Sequence, residues 1–249
     1  MSGETLAVLN HVSRSYGRRL AVDDMSFEIR RGEVLGLLGP NGAGKTSTMH
    51  MLCGVLAPGA GHITIGGHDI IESPRLAKAS IGYLPEQPPL YPDLSVDQYL
   101  DFCATLRRIP RAQRNRARHK AKERCGLMDV GARLIGNLSK GYQQRTGIAQ
   151  AIIHDPDLIV LDEPTVGLDP AQIVAIRALV RELGATHGVL VSTHNLSEVR
   201  SICDRVLIMG AGRLLLDQPL ATMETGTLEE RFLQLTQSDD PFMHSGPVS

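Results

Sequence analysis

Much of the information in this 249-residue sequence lies in what it lacks. No apolar run approaches the roughly 18 residues a helix needs to cross a bilayer, so no helical membrane span is expected from it. The opening MSGETLAVLN carries neither the basic nor the apolar stretch of a secretory leader, and a cytoplasmic location is the expectation. The four cysteines, Cys53, Cys103, Cys125 and Cys203, are far apart and form no C-x-x-C pair. Reduced, buried thiols are expected of them, and neither disulfides nor metal ligation. A formal net charge of −1 gives no global reason to expect nucleic acid. One stretch, RRIPRAQRNRARHKAKER from Arg107 to Arg124, is heavily basic, but it holds no aromatic ring on which a base could stack. A solvated helix pair is expected there, with proximity to anionic lipid headgroups as the second reading. No internal repeat is visible.

What is present alternates. Short β-branched or apolar runs change places with helical patterns, the mark of an α/β fold. LAVLNHV, MSFEIR, VLGLLG and HITIGG read as strands, and a helix is expected after Gly44. Residues 86–155 look helical and lack strand runs, which makes them a helical insert. LIVLD, GVLVSTH and RVLIMG suit buried parallel strands, with PAQIVAIRALVREL as a helix and LEERFLQL as an amphipathic closing helix. One domain over residues 1–236 is expected, followed over 237–249 by a polar, disordered tail. Strand order does not follow from such patterns.

Three motifs carry chemistry. VLGLLGPNGAGKTSTMHML joins a buried strand to a helix and satisfies G-x-x-x-x-G-K-[ST] in the required context. Its glycines let successive amides point at phosphate oxygens, and the helix dipole adds positive potential there. The candidate phosphate-binding set is Gly39, Pro40, Asn41, Gly42, Ala43, Gly44, Lys45, Thr46 and Ser47. Lys45 is expected to reach the β and γ phosphates, and the Thr46 hydroxyl to ligate Mg2+. In LIVLDEPTVGLDP a buried strand delivers Asp162 to its C-terminal edge, where α/β sheets bind ligands. Asp162 is expected to hold Mg2+, and Glu163 to polarise the attacking water as general base. The third motif, LSKGYQQR, starts a helix with Ser139 at its N-cap and Gly141 allowing close backbone approach, which is a second anion site. Nucleoside triphosphate hydrolysis is the expected reaction.

Taken in order, GPNGAGKT, LSKGYQQR, LIVLDEPTVGLD and the histidine of STH closely resemble the ATP-binding subunits of ABC transporters, over about Leu6 to Thr236. GYLPE, LSKGYQQR and LEERFLQLT look most like the ABC-2 branch, and export is the direction that branch implies. The resemblance implies a P-loop NTPase core with a mixed or parallel sheet, an N-terminal antiparallel β subdomain and a helical subdomain carrying the signature motif. It also implies ATP and Mg2+, a head-to-tail homodimer or heterodimer of ATP-binding subunits, and an integral membrane permease partner. No nucleic acid is implied, and the location is peripheral on the inner face of the cell membrane. Ser139 and Gly141 would then contact the γ-phosphate bound to a second copy. Contacts of this dipolar kind contribute on the order of 0.3–2 kcal/mol, enough to favour closure but not to retain nucleotide alone. Tyr16 matches the aromatic that stacks on adenine, His194 the switch histidine, and Asp169 the D-loop aspartate.

The chain departs from the family pattern at two places. Where the Q-loop glutamine would stand there is Glu86, a candidate Mg2+ ligand, with Gln87 beside it as the alternative. Lys140 and Tyr142 replace the Gly and Gln of the commonest signature. PPLYPDLSVDQYL is expected to expose Leu90, Tyr91 and Leu94 as part of a groove for a short helix of the membrane partner. Three rival readings fit less well. A DNA-repair ATPase needs a long heptad-rich insertion, a translation-factor relative needs two motif sets, and a small-molecule kinase needs no signature.

Overall fold

The computed structural model describes residues 3–223 and 227–237. In chain order the first half comprises β1 (Thr5–Tyr16), β2 (Arg19–Arg30), β3 (Val34–Leu38), α1 (Lys45–Leu52), β4 (Ala60–Ile65), β5 (His68–Asp69), α2 (Pro74–Ala79) and β6 (Ile81–Leu84). Three helices follow: α3 (Val96–Leu106), α4 (Arg111–Arg124) and α5 (Lys140–Ile152). The chain then runs through β7 (Leu158–Asp162), α6 (Pro170–Gly184), β8 (Gly188–Thr193), α7 (Leu196–Ile202), β9 (Arg205–Gly210), β10 (Arg213–Pro219) and α8 (Thr227–Gln237). The expected tail lies outside the described residues, apart from Gln237, which ends α8.

Two sheets form. One is antiparallel, ordered β2-β1-β4-β5, and the other runs β10-β9-β3-β8-β7-β6. The central strands of the second pair in parallel, and β10 closes one edge antiparallel to β9. Every residue of β3, β7 and β8 is buried, as a parallel strand covered on both faces requires. Side chains alternate across this sheet and divide the interior into two cores. Leu35, Leu37, Val160 and Leu190 face the antiparallel sheet and α1. Leu38, Ile159, Leu161, Val189 and Val191 face α6 and the helical insert.

Strand order is what assembles the site. β8 lies between β3 and β7, with Leu38 opposite Thr193 and Ser192 opposite Asp162. The loop after β3, the acid pair after β7 and the histidine after β8 therefore emerge side by side at one sheet edge.

The basic stretch forms the expected solvated helix, with only Ala121 and Lys122 of α4 buried, and ion pairs hold it to α3: Lys122 with Asp97 at 2.7 Å and Arg118 with Asp101 at 3.3 Å. Lys120 and Arg124 reach Asp155 and Glu182 outside the α3–α4 pair. The apolar surface expected around the Pro-rich segment narrows. Leu90 and Leu94 are half-buried against the core, which leaves Tyr91 exposed and in edge contact with the exposed Phe102. All four cysteines are free and buried, as expected.

Candidate functional site

The phosphate loop needs glycine for steric reasons. Gly44 has φ 104°, and a Cβ there would sit 2.5 Å from the Ala21 carbonyl oxygen. At Gly39 a Cβ would sit 2.6 Å from the Met209 carbonyl oxygen, so β9 and the loop touch backbone to backbone. Lys45 opens α1 and folds back into the loop, where its Nζ donates to the carbonyls of Gly39 (2.7 Å) and Pro40 (3.1 Å). Burial pulls the Lys45 ammonium below its usual pKa, while the carboxylates of Glu163, Asp162 and Glu86 hold it up. Lys45 and the loop amides offer an anion positive potential, and the carboxylates around them call for a cation to accompany it.

At the end of β7, Asp162 is buried and accepts a hydrogen bond from Ser192 Oγ at 2.5 Å. The same Ser192 Oγ accepts the Glu163 backbone N–H at 3.0 Å, so one hydroxyl on β8 holds both members of the acid pair. Glu163 adopts φ 46°, a left-handed conformation unusual for a residue with a side chain. Its Oε1 meets His194 Nδ1 at 2.9 Å. Burial raises the Glu163 carboxyl above the ordinary carboxylate range, and the His194 contact and Lys45 oppose that rise.

These groups line one cleft of about 470 Å³. Of the residues expected from sequence it contains Tyr16, the loop residues 41–47, Glu86, Asp162, Glu163 and His194. Tyr16 is 48% exposed at the rim, with its hydroxyl 3.4 Å from Ser47 Oγ. Gly39 and Pro40 touch the site through Lys45. Gln87 lines a neighbouring cleft, whereas Glu86 borders both. Asp169 caps α6 through the Gln172 N–H at 2.9 Å and stands outside the cleft. Ser139 and Gly141 are also outside it. Gly141 is buried, because the Gln172 side chain lies where a Cβ would go. Residues the sequence reading missed are Arg19, Ala21 and Val166 in the cleft wall and Ser192 beneath the acids. Arg19 Nη2 reaches the Gly42 carbonyl, and nothing in SYGRRL signals that role.

Asp162, Glu86 and the Thr46 hydroxyl bring hard oxygen donors to the same cleft as Lys45. Among the described residues no three His, Cys, Asp or Glu side chains cluster closely enough to cage a metal unaided. That combination fits Mg2+, which is commonly held by one or two protein carboxylates together with substrate phosphates and water.

Comparison with known proteins shows the family and the fold. The family model described as ABC transporter matches residues 22–166. An uncharacterized ABC transporter ATP-binding protein, YhcH of Bacillus subtilis, is 36% identical over 242 residues, covering 95% of this chain and 77% of its own. The lipopolysaccharide export system ATP-binding protein LptB of Acidithiobacillus ferridurans is 38% identical over 206 residues, covering 81% of this chain and 85% of its own. Among solved structures, an ATP binding subunit of an ABC transporter superposes with a TM-score of 0.82 at 29% identity, covering 92% of this chain and 99% of that one.

Proposed function

The chain belongs to the ABC transporter family as an ATP-binding subunit and is an ATPase, and from that premise we propose that Glu163 is its general base, His194 contacts the γ-phosphate and orients the attacking water, and the cycle drives export. ATP-binding subunits of this family dimerise and work with membrane permease subunits. Among the described residues no helix is long and apolar enough to cross a membrane, in keeping with a separate permease.

One observation carries the mechanistic reading: Lys45, Asp162, Glu163 and His194 converge in a single cleft, with Glu163 and His194 in contact at 2.9 Å. The amides of residues 41–47 and Lys45 bind the β and γ phosphates, while Tyr16 at the rim takes the adenine. Thr46, Asp162 and Glu86 are the residues that would hold Mg2+, which would neutralise charge on the phosphates when bound. Glu86 is the better Q-loop candidate than Gln87, because it borders both clefts. Glu163 takes a proton from the attacking water. Its desolvated carboxyl makes it a stronger base than a solvated glutamate would be. Export is supported by the branch resemblance and by the lipopolysaccharide export relative.

Glu163→Gln tests the centre of this reading. ATP affinity should hold within about three-fold while turnover falls by about 100-fold or more, the usual worth of a general base. Turnover at the wild-type rate, measured by phosphate release, eliminates Glu163 as the base.

A further inference from the structure

A carboxylate out of contact with water needs strong partners. Glu198, in the first turn of α7, is 1% exposed. Its two oxygens each accept one hydroxyl: Thr165 Oγ1 donates to Oε1 at 2.9 Å, and Thr193 Oγ1 donates to Oε2 at 2.7 Å. Those threonines are remote in sequence, but each adjoins the reaction centre. Thr165 follows Glu163 by two residues, and Thr193 immediately precedes His194. A single buried carboxylate thus ties the segment bearing Glu163 to the segment bearing His194.

The tie matters because Glu163 does not hold its own conformation. At φ 46° its backbone is held from outside. Ser192 Oγ fixes its N–H on one side. On the other side the chain turns through Pro164 to Thr165, where Glu198 is the anchor.

We propose that Glu198 is a positioning residue for ATP hydrolysis, a brace that keeps the Glu163 and His194 segments in fixed relation. The inference rests on the reading of Glu163 as general base. The chemistry of the brace is specific. Two donating hydroxyls need two acceptors, and a carboxylate offers both. A glutamine keeps both links if Thr165 rotates to accept from its amide. Thr193 has to go on donating, because its oxygen already accepts the Asn195 N–H at 3.0 Å. An alanine keeps neither link.

The test measures steady-state ATPase and ATP affinity of the full chain carrying E163Q, E198A, E198Q, T193V or the double change E163Q/E198A. E198A should lose about 10- to 100-fold in kcat with KM for ATP within about two-fold, the pattern of a displaced catalytic group. E198Q should stay within about three-fold of wild type, and E163Q/E198A should be no slower than E163Q, because both changes act on one step. If E198A does not fold, T193V, which removes only one hydroxyl, must show the same split. A wild-type kcat in E198A or T193V overturns the brace, as does an E163Q/E198A rate lower than E163Q by the full factor seen for E198A alone. If E163Q itself turns over at the wild-type rate, the general-base reading falls and the brace falls with it. If only E163Q is slow, the brace alone is lost.

Discussion

The residue that performs the proposed chemistry is also held in a costly conformation. A side-chain-bearing residue in the left-handed region costs roughly 1–2 kcal/mol, and Glu163 is followed by Pro164, which further narrows its backbone choices. Burial adds a second cost, because it raises the carboxyl's pKa by disfavouring the charged form. Both costs fall on a group that contributes little to packing, since its main partner His194 is exposed. Replacing Glu163 by glycine should therefore relieve strain while removing the base. Allowing for the larger unfolded entropy of glycine, the net gain in stability should be up to about 1 kcal/mol, with turnover as low as in the glutamine variant. Urea unfolding in the absence of nucleotide measures this. A glycine variant less stable than the wild type means that the strain is not stored at this position.

At the scale of elements, what was legible in the sequence is what local pattern determines. The phosphate loop, β7, β8, β9 and α6 each announce themselves within a dozen residues, through glycine spacing or an unbroken apolar run. β6 is only Ile81–Leu84 and merges into GYLPE, and β10 is an edge strand with no buried residue, so neither stood out. Ser192 and Glu198 could not be recognised as site residues beforehand, because their partners depend on strand register and order. The pairing partners of α4 were hidden for the same reason. Only Ala121 and Lys122 are buried on it, and a helix so polar is held by pairing rather than by an apolar face. Its counter-ions lie elsewhere: Asp97 and Asp101 on α3, Asp155 after α5 and Glu182 on α6. Lys122 carries the most buried of these pairs, with its side chain 10% exposed against Asp97 at 36%. Because Asp97 remains partly solvated, Lys122→Ala should cost about 1–2 kcal/mol, less than a fully buried pair would. Arg116→Ala, at an exposed position on the same helix, should stay within about 0.5 kcal/mol. Equal losses in urea unfolding would mean that pairing does not anchor α4.

For the whole molecule, the segment expected to form a second anion site, Ser139 and Gly141, is outside the Lys45 cleft. Ser139 is the N-cap of α5, yet its side chain makes no capping bond to its own helix, and it does not line the Lys45 cleft. Gly141 beside it is covered by Gln172 of α6, whose side chain has to swing aside before any phosphate reaches that backbone. A helix N-terminus with an unengaged hydroxyl contributes on the order of 1 kcal/mol to binding an anion, too little to act by itself. The same term used twice in a symmetric dimer, with nucleotide already held by each Lys45 cleft, is enough to make association depend on ATP. Glu163→Gln with ATP should therefore sediment as a dimer and with ADP as a monomer. Adding Ser139→Glu sets a carboxylate against the partner's γ-phosphate. It should weaken the ATP dimer by at least about ten-fold, since like charge replaces a favourable dipole contact. ATP affinity of the monomer should not change, because Ser139 is not part of that cleft. If the doubly substituted chain still dimerises on ATP as tightly as Glu163→Gln alone, the signature helix does not complete a neighbour's site, and the energy for closure has to come from contacts elsewhere on the surface.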